Sequence, residues 1–193
     1  MTDRITRQLA FLSEADKLKS VIRGTQLHDG SRHENSGEHS WHIALYALIM
    51  AEHAIKPVNV DRVIKMLLLH DLVEIDAGDV PIHSDAARDP AAQDAAEQAA
   101  ADRIFGLLPT DQSNEFRALW DEFEAATTDD AIFAKSIDRV QPVVSNLASG
   151  GESWTTYNVT RDQVQTRVGD KVTRGAPAIW DALKLRIDAW FDR

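Results

Sequence analysis

The segment Met66-Leu67-Leu68-Leu69-His70-Asp71-Leu72-Val73-Glu74 decides the fold, because it combines an apolar helix with three ionisable side chains. The apolar residues are as dense as in a buried helix, and burying an unpaired charge is costly. A cation would satisfy His70 and Asp71, provided that other helices complete its ligand shell. Glu74 lies one turn after His70 on the same face, so it can approach that centre without being a ligand. A hydrogen-bonded polar plug at the end of a buried helix is the alternative.

Length and composition limit the classes of protein. A chain of 193 residues can bury one sizeable core, so we expect a single domain over residues 1–193. Its net charge of −10, with no basic stripe, disfavours binding to a nucleic-acid duplex. The chain has no cysteine, which leaves His, Asp and Glu as metal ligands. No stretch approaches the roughly 20 apolar residues of a membrane span, and no apolar signal segment opens the chain, so we expect a cytoplasmic protein.

Helix caps and apolar periodicity predict an all-α bundle of about seven or eight helices. No strand pattern, internal repeat or low-complexity tract is visible in the sequence. The helices of residues 152–193 are expected to pack on a core that carries the motifs, residues 17–138. Capping residues predict helix starts at Asn35 or Ser36, at Asn59, at Asp89-Pro90 and at Thr128-Asp129-Asp130.

Three stretches are predicted to be irregular. The first helix is expected to end near Arg23-Gly24, and the polar residues 25–35 that follow read as a loop. Residues 153–158 also read as a loop, in which Trp154 and Tyr157 pack or line the mouth of a pocket. A third loop follows Glu74, where Gly78 allows a tight turn that brings Asp79 back toward the helix end.

The partners of His70 and Asp71 are sought on the neighbouring helices. His39 lies on the inward side of the second helix, and His42, one turn later, is a competing ligand candidate. Asp138 lies between core positions of the sixth helix, at the margin of its buried face. A surface pair of Asp138 with Arg139 is the plainer interpretation of that residue.

In chain order, His39, His70-Asp71 and Asp138 give the pattern H…HD…D, which resembles the HD-domain metal-dependent phosphohydrolases. Three longer motifs resemble the subgroup that contains the bacterial 5′-deoxynucleotidases and their eukaryotic HD-domain relatives. The similarity runs from about Lys17 to Asp138. The motifs are Arg32-His33-Glu34-Asn35-Ser36-Gly37-Glu38-His39-Ser40-Trp41, Leu69-His70-Asp71-Leu72-Val73-Glu74-Ile75-Asp76-Ala77-Gly78-Asp79 and Ile137-Asp138-Arg139.

The resemblance implies one divalent ion bound by His39, His70, Asp71 and Asp138. Two nitrogens and two carboxylates suit Co, Mn, Fe, Ni or Zn, with positions left open for water and substrate.

The resemblance also implies roles around that ion. Glu74 matches the catalytic carboxylate of the family, and Asp79 matches the acid of its Gly-Asp turn. Arg23 lies close to a phosphate-binding arginine, and Arg32 is a second candidate to hold phosphate. Thr25 or Gln26 stands where the deoxynucleotidases have a tryptophan that helps to reject ribonucleotides.

The expected function is hydrolysis of (deoxy)nucleoside 5′-monophosphates to nucleoside and phosphate by a homodimer. The alternatives are another nucleotide or small phosphoester as substrate, a catalytically degenerate nucleotide-binding module, and a helical interaction protein without a metal. Two non-ligand carboxylates, Glu74 and Asp79, beside the ion favour the enzyme, because a purely structural site would not need them.

Overall fold

The computed structural model describes residues 2–84 and 89–193, and most of these residues are helical. This confirms the all-α class. Seven α-helices in these two ranges have ten residues or more. In chain order the helices are α1 (Thr2–Ala15), α2 (Ser36–Met50), α3 (Val60–Leu69), α4 (Glu74–Ala77), α5 (Pro90–Phe105), α6 (Thr110–Ala125), α7 (Asp129–Ala148), α8 (Glu152–Thr156), α9 (Arg161–Val164), α10 (Asp170–Gly175) and α11 (Pro177–Phe191).

The predicted helix starts are confirmed by cap hydrogen bonds. Asn35 and Glu38 form a reciprocal capping box, in which each side chain accepts a hydrogen bond from the backbone N–H of the other. This box satisfies two N–H groups that the first turn of α2 would leave unpaired. The side chains of Asn59, Asp89 and Thr128 accept from backbone N–H groups in the same way.

The core is built around α3, which contacts α2, α6 and α7. Val63, Met66 and Leu67 on α3 are fully buried, in a cluster of apolar side chains that extends from Phe11 to Ile187. Burial of this apolar area is what holds the three neighbouring helices against α3. The polar residues that end α3 therefore meet polar residues of α2 and α7 inside the protein.

The backbone changes from α-helix to 3₁₀ helix at His70, the first of the polar residues. After Leu69 the chain forms a 3₁₀ turn, His70–Val73, before the short helix α4. Gly78 follows with φ +78° and ψ 155°, a conformation that is essentially restricted to glycine. This turn brings Asp79 to within 3.5 Å of Arg23, as the sequence predicted for a tight turn.

The loop predicted for residues 25–35, and the absence of strands, are wrong. Residues Ile22–Gln26 (β1) and His33–Asn35 (β2) form an antiparallel hairpin with an irregular register. The pairing is extended by Leu27 N–H donating to the carbonyl of Arg32, and Gly30 in the turn has φ +70°. The Asp29-Gly30 pair is a typical hairpin turn, whereas strands this short leave no alternating apolar pattern.

Two further boundaries differ from the prediction. The first helix ends at Ala15, and a 3₁₀ segment, Asp16–Ser20, leads into β1, so Arg23 is a strand residue. The β-branched Val21 and Ile22 favour the extended backbone found there. Residues 153–158 are mostly the helix α8 rather than a loop, and α8 is too short to show helical periodicity. No helix in the described part of the chain has the length and apolar character needed to cross a membrane.

Candidate functional site

Three separate segments bring together the side chains that the sequence proposed as metal ligands. His39 on α2, His70 in the 3₁₀ turn and Asp138 on α7 are all buried, and their ligand atoms lie within 4.8 Å of one another. His39 Nε2 lies 3.1 Å from Asp138 Oδ1, and His70 Nε2 lies 3.6 Å from the same oxygen. Asp71 completes the group, with its Oδ1 2.8 Å from His70 Nε2 and its Oδ2 4.0 Å from His39 Nε2.

Hydrogen bonds fix the tautomer of both histidines. His70 Nδ1 lies 2.9 Å from the carbonyl oxygen of Leu67, which can only accept, so Nδ1 carries the proton. His39 Nδ1 lies 2.9 Å from Gln141 Oε1 and donates in the same way. Both Nε2 atoms therefore face the cluster, which is the orientation that supporting hydrogen bonds give to metal-ligating histidines.

The charges of this group are those of a cation site. Burial alone would lower the pKa of His70, but the charge of Asp71 and the contact with Asp138 raise it to about 10. Burial would also raise the pKa of Asp138, yet the hydrogen bond with His39 and the nearby charges of His70 and Arg139 hold it well below its usual value. The pKa of Asp71 is lowered against burial by the charges of His70 and Arg23. Two buried carboxylates thus stay ionised and require positive charge beside them.

The residues fit a divalent ion. His70 Nε2 is a buried atom without a hydrogen-bond partner, because its 2.8 Å approach to Asp71 lacks hydrogen-bond geometry. Two neutral imidazoles and two carboxylates would neutralise a doubly charged cation and supply the mixed nitrogen and oxygen ligands of first-row metals.

Arg23 lies beside this cluster and is surrounded by carboxylates. Its Nη1 atom lies 3.0 Å from Asp71 Oδ2, 3.4 Å from Glu74 Oε1 and 3.5 Å from Asp79 Oδ1. Arg23 therefore lies at the edge of the ligand cluster, and its role in holding phosphate stays a prediction. Glu34, 4.0 Å from Arg23 Nε, is a fourth acid in contact.

Glu74 and Asp79 have raised pKa values for the same reasons. Burial raises the pKa of Glu74, and the charge of Asp71 adds to it, so the value reaches about 9 despite Arg23. Burial and Asp71 likewise raise the pKa of Asp79 against the opposing charge of Arg23. Glu74 Oε2 accepts a 2.6 Å hydrogen bond from Ser36 Oγ, which fixes its carboxylate. Carboxylic acids with raised pKa values beside a cavity are typical of groups that transfer protons.

A cavity of about 800 Å³ opens on this cluster. Its volume is in the range of small-molecule sites, roughly 300–1,000 Å³. Trp154 and Tyr157 line it, in agreement with one of the two roles predicted for them. The predicted site residues in its wall are Arg23, His70, Asp71, Glu74, Asp79 and Asp138.

Two candidates are not brought to the site. Arg32 is exposed, pairs with Glu38 at 2.8 Å and does not line the cavity, so its predicted contact with phosphate is not supported. The reason is that the capping box fixes Glu38 at the start of α2, where the carboxylate captures the guanidinium. His42 packs against Trp41 and Tyr46 outside the ligand cluster, whereas His39 lies within it.

Sequence reasoning missed two buried supporting residues. Gln141 is fully buried, accepts from His39 and donates to Glu34 at 3.1 Å. Glu34 also accepts a 2.7 Å hydrogen bond from Thr25. Glu34 stands inside the motif that carried the resemblance, and Gln141 lies one helical turn after Asp138. That spacing places Gln141 on the face of Asp138 and is the signal that could have found it.

A helical domain in which three segments join histidines and aspartates beside a cavity is a candidate metal-binding domain. The model of the HD domain matches residues 15–180, and the chain belongs to the HD-domain family.

Relatives agree with this assignment. A solved structure of a predicted metal-dependent phosphohydrolase from Magnetospirillum magnetotacticum MS-1 is 43% identical, covers 97% of this chain and 95% of its own, and superposes with a TM-score of 0.89. The 5′-deoxynucleotidase HDDC2 proteins of Bos taurus and Homo sapiens are each 28% identical over 137 residues, 70% of this chain. The chain spans 64% and 65% of the length of these two relatives.

Proposed function

We propose that this chain is a metal-dependent phosphomonoesterase that hydrolyses (deoxy)nucleoside 5′-monophosphates to a nucleoside and phosphate. The observation that carries the proposal is Arg23, which lines the cavity between Asp71 of the ligand cluster and the carboxylates of Glu74 and Asp79. The relatives, a predicted metal-dependent phosphohydrolase and two 5′-deoxynucleotidases, support the same class of reaction.

Positive charge is the first requirement of the reaction. A divalent ion held by His39, His70, Asp71 and Asp138 would supply charge to the phosphoryl oxygens and lower the pKa of a water molecule. Arg23 would hold the phosphate by exchanging its carboxylate partners for phosphate oxygens, through charge-assisted hydrogen bonds. This charge offsets the repulsion between an anionic substrate and a chain of net charge −10.

Proton transfer falls to the two non-ligand acids. Glu74, which accepts a hydrogen bond from Ser36, would orient or deprotonate the attacking water. The leaving 5′-oxygen needs a proton, and the raised pKa values let Glu74 or Asp79 hold one near neutral pH.

Phosphate release tests the proposal. The protein is freed of metal with a chelator, reloaded with Co, Mn, Mg or Zn, and given each deoxy- and ribonucleoside 5′-monophosphate. We expect turnover with at least one of the metals. The ratio of rates for the deoxy- and ribonucleotide of the same base gives the sugar preference. No phosphate release from any combination would contradict the proposal.

The Glu74→Gln variant separates the catalytic role from metal binding. It should keep one ion per chain and lose at least about 100-fold in kcat, the lower range for removal of a general acid or base. Glu52→Gln, at an exposed glutamate outside the cavity, is the matched control and should behave as the wild type. Wild-type turnover by Glu74→Gln would show that the assignment is wrong.

The homodimer, the single domain and the cytoplasmic location remain predictions from the sequence. Light scattering after gel filtration measures the mass of the particle and tests the dimer directly.

A further inference from the structure

The cavity is also lined by a group of basic side chains on the elements that follow the catalytic residues. Arg139 lies on α7, Arg167 lies in the π-helical segment Gln165–Gly169, and Lys171 and Arg174 lie on α10, which packs against α7. We call these four residues the basic wall. None of them was assigned a role by the sequence or by the proposed reaction.

The charges of the basic wall are poorly compensated. Arg139 Nε lies 3.6 Å from Asp138 Oδ2, but it is a buried atom without a hydrogen-bond partner. Arg167 donates to the carbonyl of Ile82 at 2.8 Å, and Arg174 donates to the carbonyl of Ala126 at 3.2 Å. These carbonyl groups are neutral. Among residues 2–84 and 89–193, no carboxylate lies within 4.0 Å of the charged nitrogens of Arg167, Lys171 or Arg174.

Other basic residues of the chain show the contrast. Lys135 also lines the cavity, but its charge is paired with Glu124 at 2.9 Å and lies over the ring of Phe123. Arg103 on the surface is paired with both Asp76 and Glu14. Arg167, Lys171 and Arg174 are exposed, so solvent rather than a carboxylate screens their charges in the cavity wall.

The positive charges of the wall lower the pKa values of two neighbouring titratable groups. The charge of Arg139 lowers the pKa of Lys171, with burial and Lys135 adding to the effect. Burial lowers the pKa of His83 to about 4, and the charges of Arg167 and Arg139 contribute. The wall is thus a region where an anion would gain from several positive charges at once.

We propose that the basic wall binds a second phosphate group of the substrate, in addition to the phosphoryl group that is hydrolysed. This inference rests on the proposed function, and it extends the proposed substrates to nucleotides that carry a second phosphate group besides the one that is hydrolysed. Arg139 follows the ligand Asp138 directly in the chain, so the wall begins at the edge of the metal cluster. A cavity of about 800 Å³ has room for a nucleotide of this kind. A nucleoside 5′-diphosphate and a nucleoside 3′,5′-bisphosphate both have the required chemistry.

The test compares three nucleotides on three proteins. The nucleotides are 2′-deoxyadenosine 5′-monophosphate, its 5′-diphosphate and its 3′,5′-bisphosphate, and initial rates of phosphate release give kcat/KM for each. The proteins are the wild type, the double variant Lys171→Gln/Arg174→Gln and the control Lys184→Gln/Arg186→Gln. The control removes the same charge from exposed residues of α11 that do not line the cavity.

For the wild type, we expect kcat/KM to be higher for a two-phosphate compound than for the monophosphate. In the wall variant this ratio should fall about ten-fold or more, the effect of losing one charge-assisted hydrogen bond. The control should keep the wild-type ratio. A preference for the 5′-diphosphate or for the 3′,5′-bisphosphate identifies the arrangement of the two phosphates. A wild-type preference for the monophosphate, or a ratio that the wall variant leaves unchanged, would overturn the inference.

Calorimetric binding of the same nucleotides separates this inference from the proposed function. If no protein releases phosphate, the proposed function is wrong. The binding constants then still test whether the basic wall binds a second phosphate group. Tighter binding of a two-phosphate compound than of the monophosphate, lost in the wall variant and kept in the control, would still support the second anion site. Equal binding in all three proteins would refute it.

Discussion

Removal of the Arg23 guanidinium should destabilise the protein far more than removal of a surface arginine with similar partners. Arg23→Met keeps the aliphatic stem and deletes the charge that lies 3.0 Å from the buried, ionised Asp71. Loss of one partner of a buried ion pair costs about 3–5 kcal/mol. His70 still faces Asp71 in the variant, so we expect the low end of this range, about 3 kcal/mol.

Arg103→Met is the matched control. Arg103 also pairs with carboxylates, two of them against four for Arg23, but its side chain is 43% exposed. Solvent screening limits such surface pairs to less than about 1 kcal/mol.

Urea unfolding of the chelator-treated proteins at pH 7 measures both losses of unfolding free energy. With a slope of about 2 kcal/mol per molar urea, the midpoint of Arg23→Met should fall by about 1.5 M. The midpoint of Arg103→Met should fall by less than about 0.5 M on the same slope. Equal losses in the two variants would refute the reasoning that Arg23 compensates the buried carboxylates.

Three other predictions follow from the site. Metal binding at pH 7 should release about one proton per ion or more, because the pKa of His70 is raised to about 10 and this imidazole must deprotonate to bind, while the raised pKa of His39 adds to the release. Calorimetry in buffers of different ionisation enthalpy measures the release, and its absence would contradict the prediction. The imidazole of His83 should stay neutral in the native state until about pH 4, as NMR titration can follow. Because its folded pKa lies below the unfolded value, His83 should reduce stability as the pH falls from about 6.5 to 4, and His83→Gln should remove that part of the slope; a native pKa near 6.5 would be inconsistent with this. Gly78→Ala should cost about 1–3 kcal/mol in urea unfolding through backbone strain alone, since the added Cβ meets no atom within 4 Å, and a neutral effect would be inconsistent with the φ of +78°.

The sequence was sufficient where the signal is local. Caps such as Asn35 with Glu38 mark helix starts because their hydrogen bonds span only three residues. The apolar face of α3 predicted its central position for the same reason, and Gly78 predicted the turn that returns Asp79 to the helix end.

Long-range pairing explains what the sequence could not show. The hairpin that carries Arg23 is too short for an alternating pattern, so the sequence predicts a helix that ends near Arg23-Gly24 and a loop after it. Gln141 and Glu34 meet across 107 residues of chain. In the basic wall, Arg167, Lys171 and Arg174 share the helical spacing i, i+4 and i+7, but Arg139 lies 28 to 35 positions earlier, and only the packing of α10 on α7 brings it to the same cavity.

Arg32 is a sequence candidate that the structure does not bring to the cavity. A basic residue in a motif that also holds a ligand suggested contact with phosphate, but its nearest anion is the capping carboxylate of Glu38. Local charge pairing therefore decided the position of this side chain, and the motif alone did not reveal it.

Metal content is the most direct test of the account, because its central claim is that His39, His70, Asp71 and Asp138 hold a single divalent ion. Protein purified without chelator and reloaded with Co²⁺ is analysed by mass spectrometry of its metal content, with circular dichroism to verify folding. The wild type and His42→Ala should each hold one ion per chain, whereas Asp138→Asn and His39→Ala, if folded, should hold much less. Retention of a full equivalent by folded Asp138→Asn and His39→Ala, or its loss in His42→Ala alone, would contradict the account.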